Sequence, residues 1–205
     1  MRVPGTIAFH DLGHVEEKFR DAVLEGLAAP AKHIPCKFLY DARGSALFEQ
    51  ICELPEYYPT RTEMRLLRHY GADIAAVIGT GAQIVEFGSG ASRKSRILLD
   101  ALDRPQMYVP IDVSRQHLRT SAEALARDYG GLEVVAICGD YTRHVPLPPP
   151  GPGRRVGFFP GSTIGNFQPA EAQAFLVSWR DRLRGGGMLV GVDLKKDAAV
   201  LHAAY

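Results

Sequence analysis

The sequence has few cysteines, no long apolar run and almost no net charge, and each of these absences excludes a class of protein. Its three cysteines, Cys36, Cys52 and Cys138, lie far apart and form no Cys-x-x-Cys pair, so a zinc site or a redox motif has no support and no metal site is expected. No stretch approaches the roughly 20 apolar residues of a membrane-spanning helix. A formal net charge of +1 gives no electrostatic reason to expect nucleic acid or an anionic membrane as a partner.

Residues 1–6 contain no apolar segment of the kind that a secretion signal requires, so secretion is not expected. This predicts a cytoplasmic protein with reduced thiols. Apolar residues make up 46% of the 205 residues and charged residues 23%, which is the composition of a globular protein. The length suits one domain, or one domain with a modest appendage, and is sufficient for a hydrophobic core.

Residues 1–80 are predicted to form helices joined by loops. Residues 15–28 and 45–54 each place apolar side chains on one helical face. The first face comprises Phe19, Val23, Leu24 and Leu27, and the second comprises Leu47, Phe48, Ile51 and Leu54.

A third helix is predicted to open on a capping box. Thr60 and Glu63 have the spacing of that motif, and Pro59 stands just before it. The helix should run towards Val77 and stop at the glycines that follow.

From residue 82 onward, strands alternate with helices. The predicted strands are 83–87, 107–113, 133–138, 154–160 and 188–194, and the predicted helices are 92–102, 114–129 and 169–183, with a further helix starting at 198. This alternation predicts βαβ units and therefore an α/β fold with a parallel, Rossmann-like sheet of five visible strands. The loops after the strands would meet at the carboxyl edge, where ligands bind in such sheets.

Glycine and acidic residues end three successive strands. Gly88-Ser-Gly90 follows the first strand, and glycines at that point let the backbone approach a ligand closely. Asp112 ends the second strand, where an acid can accept both ribose hydroxyls of a nucleoside. Asp140 and Tyr141 end the third strand, where a carboxylate can accept the adenine amino group and a ring can cover its face. In this order, the residues predict a nucleoside site.

The glycine loop favours S-adenosylmethionine over a dinucleotide. A dinucleotide site uses a third glycine for the pyrophosphate, but Ala91, Ser92 and Arg93 follow Gly90 here. S-adenosylmethionine has no phosphate and carries a sulfonium cation and an amino acid tail, which suits a loop flanked by acids.

With these motifs in place, the chain resembles the bacterial histidine Nα-methyltransferases of ergothioneine biosynthesis, within the class I S-adenosylmethionine-dependent methyltransferases. The resemblance covers nearly the whole chain. It is carried by the runs that start at Lys37 (KFLYDARGSALF), Leu54 (LPEYYPTRTE), Glu86 (EFGSGASRK), Cys138 (CGD) and Gly161 (GSTIGN).

The resemblance implies a set of site residues, without a nucleophile or an acid–base catalyst. The S-adenosylmethionine site would be lined by Tyr40, Gly88, Lys94, Asp112, Asp140 and Tyr141. The amine and carboxylate of the substrate would be held by Tyr57, Gly161, Thr163 and Asn166, with Phe48 near the imidazole and Tyr205 at the carboxylate. Tyr40 and Asn166 would position the reactants. The implied reaction trimethylates the α-amine of L-histidine to hercynine and releases S-adenosylhomocysteine.

The resemblance also implies a domain organisation. Residues 1–80 would belong to the substrate domain, residues 81–197 would form the cofactor domain, and residues 198–205 would begin the remainder of the substrate domain. Members of the family extend further, so this chain is expected to be incomplete at its carboxyl end, and the residues that read the imidazole cannot be assigned. The fifth predicted strand would then have an open edge through which the chain could self-associate.

Two alternatives to a histidine methyltransferase stay open. They are a methyltransferase of another amino acid, such as a tryptophan derivative, and a non-catalytic S-adenosylmethionine-binding fragment.

Overall fold

A parallel six-stranded sheet forms the centre of the fold. The computed structural model describes residues 6–13, 19–183 and 185–204. The strands are β1 (Ala8–Asp11), β2 (Gln83–Phe87), β3 (Met107–Asp112), β4 (Glu133–Cys138), β5 (Arg155–Phe159) and β6 (Gly187–Val190). Their order across the sheet is β1-β4-β3-β2-β5-β6. The predicted Rossmann-like α/β fold is therefore confirmed, with six strands instead of five.

The additional strand is β1, which lies in the segment that the sequence predicts to be helices and loops. It pairs in parallel with β4, from Ala8 beside Val135 to Asp11 beside Cys138. β1 has four residues and is mostly exposed, so it shows neither the length nor the alternation that identifies a strand in a sequence. At the opposite edge, β6 pairs with β5 within the described residues. Self-association through that edge stays a prediction.

The core lies on both faces of the sheet. Successive residues of a strand point to opposite faces, and every residue of β2 is buried. Ile84 packs with one cluster, which includes Leu98 and Leu118, whereas Val85 and Phe87 pack with another, which includes Trp179. A strand buried on both faces is typical of a parallel sheet covered by helices.

The helices follow the predicted order. They are α1 (Phe19–Ala28), α2 (Ala42–Glu53), α3 (Tyr58–His69), α4 (Gly71–Ile78), α5 (Arg93–Ala101), α6 (Arg115–Asp128), α7 (Pro169–Arg182) and α8 (Ala198–Ala204). None of the helices in the described residues is long and apolar enough to span a bilayer.

The predicted capping box at Thr60 is wrong. α3 begins at Tyr58 with Tyr57 as its N-cap and Pro59 in its first turn, where a missing N–H costs nothing. Thr60 is therefore already inside the helix, and its hydroxyl lies 3.3 Å from the Cys52 sulfur. The predicted helix is also interrupted at Tyr70, and α4 continues to Ile78 before Gly79 ends it with a φ of 86°.

The predicted apolar faces of α1 and α2 are mostly exposed in the described structure. α1 buries Ala22 and Gly26, while Phe19, Leu24 and Leu27 face outward. The apolar side chains of α2 that the sequence places on one face are exposed as well, and they are Leu47, Phe48, Ile51 and Leu54. Helical periodicity identified these helices correctly, but it did not show which side of them would be covered.

Candidate functional site

The predicted site residues of the sheet gather at its carboxyl edge. Register pairs Phe87 with Ile111 and Asp112 with Cys138, so the loops after β2, β3 and β4 start side by side. The loop after β5 starts beside them, because Glu86 pairs with Phe158. Parallel strands thus bring together groups that are far apart in the sequence.

The glycine loop after β2 leaves a buried hydroxyl without a partner. Gly88 and Gly90 have φ angles of 74° and 46°, in the left-handed region that glycine adopts without strain. The hydroxyl of Ser89, a residue only 6% exposed, has no hydrogen-bond partner within the described part of the chain. A buried polar group of this kind usually indicates a ligand or a water molecule that completes the site. The loop therefore fits a polar ligand.

Asp112 fastens the glycine loop and keeps spare acceptor capacity. Its Oδ2 accepts a hydrogen bond from the backbone nitrogen of Gly90 at 3.2 Å, and its Oδ1 accepts one from the nitrogen of Ser114 at 2.9 Å. Burial raises the pKa of Asp112, and these two backbone hydrogen bonds partly oppose the rise. Because each carboxylate oxygen can accept a second hydrogen bond, Asp112 can still bind a pair of hydroxyl groups.

Asp140, at the end of β4, lies among cations. Its Oδ1 accepts hydrogen bonds from the nitrogen and the hydroxyl of Thr142 at 2.9 and 2.5 Å. Its Oδ2 lies 3.6 Å from the Lys37 ammonium and 3.8 Å from the Arg143 guanidinium. The acid therefore connects the amino-terminal segment to the sheet.

Tyr141 presents its ring beside the glycine loop and is held there by the core. A Cβ added to Gly88 would lie 3.9 Å from the ring. The ring packs edge-to-face against Phe87 and Phe159, with centroid distances of 5.9 and 5.7 Å. The indole nitrogen of Trp179 donates a hydrogen bond to the Tyr141 carbonyl at 3.0 Å. The position of this ring is therefore fixed before any ligand binds.

Three aromatic residues of the amino-terminal segment form a row. The Phe48 ring lies 5.9 Å from the Tyr40 ring and 6.0 Å from the Tyr57 ring, both edge-to-face. Tyr57 is buried, whereas Phe48 is 37% exposed. Burial is the main cause of a raised pKa of Tyr40, and the nearby Cys36 and Asp112 add to the rise. Phe48 is thus part of an aromatic row and not of the sheet's core.

The loop after β5 contains the other predicted substrate residues. Gly161 has a φ of 81°, and the hydroxyl of Thr163 donates a hydrogen bond to the Pro160 carbonyl at 2.8 Å. Asn166 ends a 3₁₀ turn (Thr163–Asn166) and is exposed. Gln168 is the N-cap of α7, so the Asn166 amide is not needed there. The predicted site residue Tyr205 lies outside the described residues.

Glu63 is a site residue for which the sequence pattern predicts a different role, that of the acid in a capping box. Its two carboxylate oxygens share a bifurcated hydrogen bond from the Gly161 N–H, at N···O distances of 3.0 and 2.9 Å. The same carboxylate forms an ion pair with Lys94 at 2.5 Å. In the predicted capping box, Glu63 would lie in the first turn of the helix. Because α3 begins before Pro59, Glu63 lies in the second turn instead.

Glu86, the last residue but one of β2, is buried. Its Oε2 accepts hydrogen bonds from the Ser95 and Tyr108 hydroxyls, each at 2.5 Å. Burial raises the pKa of Glu86 to about 7, while the two hydroxyls and the charge of Lys94 limit the rise. This acid therefore joins β2 to α5 and to β3 inside the core.

A second connection joins α3 to the segment after β6. The Tyr58 hydroxyl donates a hydrogen bond to the Asp193 carboxylate. The backbone nitrogen of Asp193 in turn donates to the Ser162 hydroxyl at 3.0 Å. The loop after β5 is thus held from the amino-terminal segment and from the segment after β6.

Comparison with known proteins identifies relatives over most of the chain. The profile of the family described as "Histidine-specific methyltransferase, SAM-dependent" matches residues 19–205. A histidine N-alpha-methyltransferase of Mycolicibacterium smegmatis is 45% identical over 193 residues, and the match covers 92% of this chain and 60% of that protein. The protein of that name from Mycobacterium tuberculosis is 44% identical over 199 residues, covering 95% of this chain and 61% of that protein.

A fungal relative is longer still. Ergothioneine biosynthesis protein 1 of Neurospora crassa is 35% identical over 182 residues, covering 85% of this chain and 20% of that protein. The chain thus spans about three fifths of the length of the two mycobacterial relatives and a smaller part of the fungal one.

Proposed function

The chain belongs to the family of histidine-specific, S-adenosylmethionine-dependent methyltransferases, and on that premise we propose that its protein methylates the α-amine of L-histidine three times to give hercynine in ergothioneine biosynthesis. The observation that carries the proposal is the position of Asp112 and Tyr141 beside the glycine loop, with Asp140 following the neighbouring strand β4 at the same edge of the sheet. That grouping offers acceptors and a ring face to an adenosine at the edge where parallel sheets bind ligands.

The cofactor pocket would use groups already fixed by the fold. S-adenosylmethionine, when bound, supplies a methyl group on a sulfonium sulfur and leaves as S-adenosylhomocysteine. Asp112 would accept hydrogen bonds from the ribose hydroxyls, and Asp140 would accept one from the adenine amino group. Tyr141 would cover the base, and Gly88 would leave room for it. Tyr40 and Lys94 would complete this pocket.

The substrate pocket would lie between the aromatic row and the loop after β5. Tyr57, Gly161, Thr163 and Asn166 would hold the amine and carboxylate of the amino acid. Trimethylation produces a quaternary ammonium, which no longer donates hydrogen bonds. Aromatic faces such as those of Tyr40 and Phe48 hold such a cation at about 0.5–2 kcal/mol per ring. The row therefore suits the later methylation steps as well as the first.

Positioning would account for most of the rate. Methyl transfer to a neutral amine needs no covalent enzyme intermediate, so a nucleophile is not required. Holding donor and acceptor at near-attack distance can supply about 7–11 kcal/mol of the barrier. Tyr40 and Asn166 would orient the amine for this step.

The decisive experiment incubates the full-length protein with isotope-labelled S-adenosylmethionine and a panel of amino acids that includes L-histidine and L-tryptophan. Mass spectrometry should detect mono-, di- and trimethylated histidine. Methylation of another amino acid in preference to histidine would assign the protein to a different substrate. Binding of S-adenosylhomocysteine in calorimetry with no methylated product would favour a non-catalytic binding protein.

A further inference from the structure

The Glu63 carboxylate lies between the two proposed pockets and contacts one residue from each. Its two oxygens share a bifurcated hydrogen bond from the Gly161 N–H, and it pairs with the Lys94 ammonium. The Glu63 and Lys94 side chains are only 16% and 18% exposed. Because solvent screens such a pair less than a surface pair, Glu63 can fix both partners firmly.

The surrounding backbone makes room for this carboxylate. A Cβ on Gly191, just after β6, would lie 1.8 Å from the Oε1 of Glu63. A Cβ on Gly161 would lie 3.4 Å from the Lys94 ammonium. The carboxylate thus occupies space that glycine leaves open, and it joins α3 to α5 and to the loop after β5.

We propose that Glu63 is a positioning residue that sets the separation between methyl donor and amine acceptor. The inference rests on the proposed function, in which Lys94 lines the donor pocket and Gly161 lines the acceptor pocket. Both are tied to one carboxylate, so their relative position depends on it. A displacement of about 1 Å, even one caused far from the reacting atoms, can lower a rate roughly a hundredfold.

The main test is the Glu63→Ala variant of the full-length protein. We expect kcat to fall roughly ten- to a hundredfold, while the KM values for S-adenosylmethionine and the amino acid change little. The rate is divided by the amount of protein that binds S-adenosylhomocysteine, so that a loss of folded protein does not lower the measured kcat. An unchanged kcat on that basis would overturn the inference.

The matched control is Glu53→Ala. Glu53 pairs with Arg93, the neighbour of Lys94 in α5, so it also joins an amino-terminal helix to α5. That pair is exposed, with 66% of the Glu53 side chain and 53% of the Arg93 side chain accessible. The control should keep its kcat. A fall equal to that of Glu63→Ala would show that any link between these helices has the same effect, and it would contradict a specific role for Glu63.

Two further variants keep the test informative if Glu63→Ala folds poorly. Gly191→Ala would displace the carboxylate without removing its charge, and it should lower kcat in the same way. Glu63→Gln loses the charge opposite Lys94 but retains an acceptor for the Gly161 nitrogen. Because one of the two contacts is kept, its kcat should lie between those of Glu63→Ala and the wild type. Normal kcat in Gly191→Ala would count against the inference.

Hydrogen exchange of the Gly161 amide separates this inference from the proposed function. In Glu63→Ala, that amide should exchange about tenfold faster, whereas amides of β2 should not change. If the wild-type protein methylates no amino acid, the proposed function is wrong, and faster exchange still supports the contact of Glu63 with Gly161. Unchanged exchange would overturn the inference whether or not the protein is active.

Discussion

Asp112 and Gly90 are joined by a hydrogen bond of 3.2 Å from the glycine nitrogen to the carboxylate, so the acid of β3 holds the loop of β2. The same acid is the proposed ribose ligand. Loop shape and ligand affinity should therefore change together when Asp112 is altered.

We expect Asp112→Ala to weaken S-adenosylhomocysteine binding about a hundredfold or more, because two charge-assisted hydrogen bonds of about 1.5–3 kcal/mol each would be lost. Isothermal titration calorimetry measures the change. The exposed Asp181 on α7 provides a control, and Asp181→Ala should bind normally. Equal affinities for Asp112→Ala and the wild type would refute the assignment of the ribose site.

Asn166→Ala should weaken amino acid binding roughly tenfold, the value of one hydrogen bond to a charged carboxylate. S-adenosylhomocysteine affinity should be unchanged, because Asn166 lies in the loop after β5 and none of the residues proposed for the cofactor pocket belongs to that loop. Calorimetry with each ligand separates the two effects, and the exposed amide of Gln116 on α6 supplies the control variant Gln116→Ala. Similar losses for both ligands would argue against a specific contact with the carboxylate.

Tyr141→Ala should weaken S-adenosylhomocysteine binding roughly tenfold, because stacking of a base on an aromatic ring contributes about 1–3 kcal/mol. Tyr141→Phe retains the ring and should bind within about twofold of the wild type on the same argument. Fluorescence titration can compare the three proteins. Weak binding by the phenylalanine variant would assign the effect to the hydroxyl and not to the ring.

Stability should depend on pH through Glu86. Burial raises the pKa of Glu86 to about 7 in the folded state, above its ordinary value of 4.5. The stability that this group contributes is fully present below about pH 4.5 and is lost as pH rises through 7.

Glu86→Gln removes this titration. Relative to the wild type, it should gain about 3 kcal/mol of unfolding free energy between pH 4.5 and pH 8. Urea unfolding across that range provides the measurement. Glu123→Gln, at a half-exposed site on α6, should follow the wild-type profile. A constant difference between Glu86→Gln and the wild type at every pH would show that Glu86 does not titrate as described.

The strand-end residues could be predicted from the sequence because parallel strands impose a common edge. Once β2, β3 and β4 were recognised as strands, Gly88, Asp112 and Asp140 had to lie near one another. A hydrophobic run that ends at a glycine or an acid indicates a strand and its carboxyl end from the local sequence alone.

Other parts of the site could not be predicted, because they depend on contacts between distant segments. The pairing of Glu63 with Lys94 and Gly161 joins α3 to two other elements, and no local pattern encodes it. The position of β1 likewise depends on β4, since a strand of four residues is defined by its neighbour. The row of Tyr40, Phe48 and Tyr57 combines three segments whose aromatic residues could equally have entered a core. The predicted domain boundaries stay predictions.

The Tyr141 ring packs against Phe87 and Phe159, and Trp179 donates a hydrogen bond to the Tyr141 carbonyl. The ring that would contact the adenine is therefore also part of the hydrophobic core. Nucleoside affinity can therefore report on interior packing at a distance. A collection of variants in α7 could be sorted by ligand titration alone, since those that loosen the interior would weaken binding without touching the ligand.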